Sequence, residues 1–148
     1  MQQVMLALST FRQSEMAISR ALEEAKKTKK LLVVYVVDIN LERYLIGSDQ
    51  FILAELEKRV KEKLLAEHQQ RGKGYVENIE REARKEDISV KLVFEMGRFG
   101  IICADIMKKE NPKMIITTRS KRPEWVKKIF GSPVSYLIEN ASCPVVEL

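Results

Sequence analysis

Cysteine is scarce in this chain. Cys103 and Cys143 are the two in 148 residues, and neither has a second Cys or a His at metal-ligand spacing. That argues against a zinc site and against a disulfide framework. Both lie in apolar patterns, the setting of buried free thiols in a reducing compartment. Histidine is scarcer still: His68 stands alone in a helical pattern, where a solvated or packing role is the expectation. No Ser, His and acid arrangement can be built around it. There is no G-x-G-x-x-G fingerprint and no Walker loop. The first apolar run ends in Leu8-Ser9-Thr10, without the acids that magnesium-dependent phosphotransfer would want. No apolar run approaches the ~20 residues that span a bilayer. The run near the N-terminus has no basic segment before it, so it does not read as a signal peptide. The expectation is a cytoplasmic protein with no membrane partner.

What is present is an ordinary globular composition. Hydrophobic residues make up 45% and charged residues 32%, with 6 Gly and 4 Pro. A chain of this length buries a sizeable core as one domain. The formal net charge is +5. The positive residues cluster at Lys26, Lys27, Lys29 and Lys30, and again at Arg119, Lys121, Arg122, Lys127 and Lys128. A modest excess of this kind suits an acidic or phosphate-bearing partner without requiring one, and a solvated surface explains it equally. We expect no specific nucleic-acid partner.

The hydrophobic pattern alternates between two periods. Val4–Leu8 reads as a buried strand, ended by Ser9-Thr10. Ala17, Ile18, Ala21, Leu22 and Ala25 then recur at helical spacing, with a lysine-rich end that suits a helix C-terminus. Leu31–Val37 is apolar on both faces, as a central parallel strand should be. A helical pattern follows over 50–85, with Leu53, Leu56, Val60, Leu64, Tyr75, Ile79 and Ala83 on one stripe. Gly72 and Gly74 weaken its middle, so a kink or local break is open there. Ile88–Phe94 is a third strand, and Phe99, Ile102, Cys103 and Ile106 start a third helix that Asn111-Pro112 stops. Met114–Thr117 is strand four. Val134, Leu137, Ile138 and Ala141 repeat helical spacing, and Cys143–Val146 is strand five. Strict alternation with apolar strands predicts an α/β domain, residues 1–148, with a parallel sheet of five strands covered by helices on both faces.

In such open sheets, ligands sit beyond the carboxyl ends of the strands, where strand order reverses. The residues at those ends are Ser9, Thr10, Val37, Asp38, Met96, Gly97, the 117–130 loop, and Gly131-Ser132 at a helix start. Backbone N–H groups and the Ser132 hydroxyl could bind an anion there, or the pair could serve as a plain helix start. Trp125 could stack on a base or pack the loop down.

The last third of the chain carries a more specific signal. Gly97 opens the third helix, and Gly131-Ser132 is followed by a helix and then Cys143-Pro144-Val145. With the full β/α order, this resembles the universal stress protein family, whose terminal pattern is G-x2-G-x9-G-(S/T), a helix, and C-P-V. The resemblance covers the whole chain. It implies the sheet order 3-2-1-4-5 and a Rossmann-like three-layer fold. It also implies a homodimer paired through the last strand, here Pro144, Val145, Val146 and Leu148. In ATP-binding members it implies a nucleotide at the terminal loop.

The chain departs from that pattern where the ligand would be held. The family's two loop glycines fall at Thr118 and Lys121, and its strand-one aspartate falls at Ser9. The turn that usually reads G-D-P is Gly97-Arg98-Phe99. Glycine lets backbone approach a phosphate closely and take positive φ, which a β-branched threonine resists. Three readings remain. The first is a non-catalytic dimeric domain acting through protein contacts, with no cofactor and nucleotide binding weak or lost. The second is a domain that binds ATP or AMP, with Arg119, Lys121 and Ser132 holding phosphate. The third is a related nucleotide-using enzyme.

Overall fold

The computed structural model describes residues 2–9, 15–38, 50–118 and 133–148; of these, the side chains of 38, 50–61, 64–65, 67–69, 71 and 133 are outside the description. The elements in chain order are β1 (Val4–Ser9), α1 (Glu15–Thr28), β2 (Lys30–Asp38), α2 (Gln50–Lys85), β3 (Ser89–Gly97), α3 (Phe99–Glu110), β4 (Met114–Thr117), α4 (Pro133–Asn140) and β5 (Val145–Glu147). The five strands form one sheet in the order β3-β2-β1-β4-β5, and every neighbouring pair is parallel. No helix among the described residues is long and apolar enough to cross a membrane.

The two cores follow from strand alternation. On one face, Val4, Leu6 and Leu8 of β1 and Leu31, Val33, Tyr35 and Val37 of β2 pack against α1 and α2. On the other, Met5 and Ala7 with Leu32, Val34 and Val36 pack against α3 and α4. That is why both central strands are apolar at nearly every position: each side chain meets a helix layer. Helix α1 approaches through three fully buried alanines, Ala17, Ala21 and Ala25. Small side chains at this spacing let the helix sit close to the sheet, while Ile18 and Leu22 are half-buried at its margin.

Helix α2 runs unbroken from Gln50 to Lys85, through both glycines. Gly72 is buried against the aromatic pair below it. A Cβ there would stand 2.9 Å from Phe94 Cε1 and 3.4 Å from Tyr35 Cε1. The rings of Tyr35 and Phe94 lie 5.4 Å apart at 48°. Gly72 therefore marks a close helix–sheet approach, not a break. It also sets the inward stripe, which is Gly72, Val76, Ile79 and Ala83, with Tyr75 turned out at 42% exposure. The stripe expected through Tyr75 is thus displaced by one residue here. Its earlier members Leu53, Leu56, Val60 and Leu64, and the side chain of His68, lie outside the description.

Helix ends close as their sequences suggest. After α2 the Ile88 N–H donates to the Ala83 carbonyl at 2.9 Å and the Asp87 N–H to the Arg84 carbonyl at 3.2 Å. With Asp87 at φ 55, this is a Schellman motif that drops Ile88 into the core. Lys29 at φ 61 ends α1, so Lys30 starts β2 instead of extending the helix. Asn111 caps α3 in the left-handed region, its N–H bonded to Met107 O at 2.8 Å. In α4, Val134 and Leu137 face inward but Ile138 is 46% exposed, because a helix of only 8 residues presents a narrow inner face.

Candidate functional site

The register brings the described candidate residues to one edge. Ser9, at the end of β1, stands opposite Val36 of β2, and Ala7 stands opposite Thr117 of β4. Val37 and Asp38 close β2 opposite Met96 and Gly97 of β3. From β1 the chain moves outward to β2 and β3, then crosses back to β4 and β5, so strand order reverses at the β1–β4 seam. Ser9 and Thr118 flank that seam at the carboxyl edge, the position where open α/β sheets take ligands.

Polar burial is concentrated at the same seam. Ser9 (2% exposed), Thr117 (0%) and Thr118 (4%) are the buried polar side chains among the described residues. Thr117 closes strand four and opens the 117–130 loop expected at the ligand edge, but no role was assigned to its side chain. It reads as part of an apolar strand, and only its hydroxyl hinted at more. That hydroxyl donates to the Ala7 carbonyl at 3.0 Å, across the seam. The Thr118 Oγ1 is buried and has no hydrogen-bond partner. No charged side chain is buried there among the described residues.

The remaining expected residues divide into three sets. The Val37 side chain belongs to the α1–α2 core and is a packing residue. For Asp38 the structure gives only the backbone, paired with Gly97. Thr10, Arg119, Lys121, Gly131 and Ser132, with Trp125 and the rest of the 119–130 segment, lie outside the described residues. Gly97 has φ 154, and a Cβ on it would stand 2.7 Å from Ile102 Cδ1. It is a glycine because the first turn of α3 folds back against it.

Other chemistry is sparse. Among the described residues no group of three or more His, Cys, Asp or Glu could hold a metal ion. Cys103 is buried, and burial pushes the Cys143 thiol above its ordinary pKa. A thiol held protonated is a poor nucleophile. At the opposite, amino edge, Gln3 Nε2 donates to the Glu110 backbone carbonyl at 3.0 Å and to its carboxylate at 3.4 Å. Lys91 pairs with the same carboxylate. Its hydrogen bond and that of Gln3 hold Glu110 below the usual carboxylate range. These residues line a polar hollow of about 380 Å³ with Lys30, Leu31 and Ser89.

The universal stress protein family model matches residues 1–146. No curated protein sequence matches the chain. Several solved structures share its fold over nearly their full lengths. The universal stress protein UspA from Lactobacillus plantarum superposes with a TM-score of 0.70 at 18% identity, covering 99% of this chain and 97% of that one. A universal stress protein in complex with cAMP superposes at 0.57 with 10% identity, covering 99% and 96%. A family member from Arabidopsis thaliana with AMP bound superposes at 0.58 with 15% identity, covering 100% and 91%.

Proposed function

The chain belongs to the universal stress protein family, and we propose that it is a non-catalytic, dimeric member. On this reading it works in the cytoplasm in the stress response through protein contacts, with nucleotide binding weak or lost. The observation that carries the ligand part is the seam itself. Where the family pattern has an acid and a glycine, this chain has Ser9 and a buried Thr118. An aspartate would accept charge-assisted hydrogen bonds, stronger than those a serine can offer. The described residues therefore do not fit a nucleotide well, and no reaction step is assigned to one.

The dimer part is supported by β5. It pairs with β4 on one side, and Val145, Val146 and Leu148 are half-buried in the single chain. An edge strand with apolar side chains is a natural seam for a second copy. Light scattering on the full chain at tens of micromolar tests this: the expected mass is twice the 17.1 kDa of the chain. A monomeric mass would refute it.

A second reading has its own support. Two similar structures carry AMP or cAMP, and Arg119, Lys121 and Ser132 stand in the 117–132 segment of this sequence. Here the domain binds ATP or AMP with those residues on phosphate. Thermal melts with millimolar Mg-ATP and AMP separate the two readings, because ligand at ~100 times its Kd adds about 2.7 kcal/mol of stability. The first expects no shift.

A further inference from the structure

We infer that the Thr118 side chain is what keeps a nucleotide out of the β1–β4 seam, and that it does so by occupying space, not by straining the backbone. This rests on the first reading above, in which the carboxyl edge keeps the frame of a nucleotide site without its ligand.

A threonine standing where a cradle wants glycine can interfere in two ways. The first is conformational: glycine takes positive φ freely and threonine does not. Among the described residues, the non-glycine positions with positive φ are Lys29, Asp87 and Asn111. Thr118 is not one of them, so its φ is not in the positive range that favours glycine. The second way is volume. Thr118 is 4% exposed, and its Oγ1 is buried without a partner.

That unpartnered hydroxyl separates packing from bonding. A threonine retained for its hydroxyl should have that group engaged, as Thr117 has with the Ala7 carbonyl at 3.0 Å. Thr118 has the burial without the bond. Its three side-chain heavy atoms therefore act as filler at the end of β4, one residue past the Ala7–Thr117 pair that closes the β1–β4 ladder. In a glycine-lined cradle the same space lets a ligand come close to the backbone. Removing the side chain should reopen it, and removing only the hydroxyl should not.

The test uses the full chain with AMP as the probe, read by thermal melting and equilibrium dialysis. Wild type is expected to be silent to millimolar AMP. Thr118→Val should also be silent, and should melt about 2–4 °C higher because a methyl replaces an unsatisfied buried hydroxyl. Thr118→Gly should melt several degrees lower without ligand. It should then gain an AMP-dependent rise of at least about 3 °C and measurable AMP retention. If Thr118→Gly does not fold, Thr118→Ala serves, with a smaller gain in the same direction. A folded Gly or Ala variant that stays silent overturns the inference, as does a Val variant that responds to AMP. A wild type that responds as strongly as the Gly variant overturns both this inference and the reading beneath it. Silence of wild type and Gly variant together removes only the inference.

Discussion

The Thr117 hydroxyl donates to the Ala7 carbonyl at 3.0 Å, tying β4 to β1 across 110 residues of chain. Its neighbour Thr118 is also buried, and the Thr118 Oγ1 has no hydrogen-bond partner. The same substitution at the two positions should therefore have opposite signs. Thr117→Val loses a made hydrogen bond and should destabilise by about 0.5–1.5 kcal/mol. Thr118→Val relieves an unmade one and should stabilise by about 1 kcal/mol. Urea titration of both variants checks the pair, and equal signs would contradict the hydrogen-bond assignment.

The two helix glycines should also diverge. A Cβ at Gly74 meets nothing within 4 Å, whereas one at Gly72 meets Phe94 at 2.9 Å. Gly74→Ala should gain about 0.4–1 kcal/mol from reduced unfolded-state freedom and better helix propensity. Gly72→Ala has the same gain, but must push the Phe94 ring aside, at about 1–3 kcal/mol. The expected net is destabilisation of about 1 kcal/mol. If both alanines stabilise alike, the close approach of α2 to β3 is wrong.

Gly97→Ala should be the costlier loop change. The residue sits at φ 154, and the added Cβ would lie 2.7 Å from Ile102 Cδ1. Backbone strain of this kind costs about 1–3 kcal/mol. Trimming Ile102 to Ala would relieve the contact but not the φ. The double variant should thus remain less stable than Ile102→Ala alone, as chemical denaturation can read.

Glu110 predicts a small acid dependence. Its folded pKa is lowered, chiefly by the Lys91 hydrogen bond and then by Gln3. A lowered folded pKa gives stability that is present above the unfolded value and lost as pH falls through the folded one. Wild type should therefore lose this contribution below about pH 4, the ordinary range for a glutamate. Glu110→Gln should be slightly less stable near neutrality, and its deficit should shrink as the pH drops. The effect is small because Lys91 is 60% exposed and solvent screens the pair. A deficit that grows on acidification would contradict the assignment.

Much of the fold was legible in the residues alone. Leu31–Val37 is apolar at every position, and only a strand covered on both faces needs that. Alternating periods then required helices between parallel strands, and the sheet order implied by the family resemblance, 3-2-1-4-5, is the one observed. Boundaries moved by small amounts. Ser9 lies within β1, β3 extends to Gly97, and β5 spans Val145–Glu147. Strand ends are set by the pairing partner, which a single strand's pattern does not contain.

Less of the site was legible. Ser9 and Thr118 could be placed at the carboxyl edge by counting along the chain, but Val37 looked like a site residue and is core. Thr117 looked like core and carries a bond across the seam. Which face a residue takes at a strand end depends on register, and a shift of one residue exchanges the two faces.

The sequence by itself determined the α/β architecture, the family, the loss of two glycines from the terminal pattern and the loss of an acid from the end of strand one. Those are properties of residue type and spacing, which local periodicity carries. Only the tertiary structure decided what the replacements and irregularities do. Gly72 reads as a weak point and serves as the contact that seats α2 on Tyr35 and Phe94. Thr118 stands where the pattern wants positive φ and instead is buried without it, its hydroxyl unmatched. Both depend on neighbours brought from distant parts of the chain, and close packing, not local preference, fixes their roles.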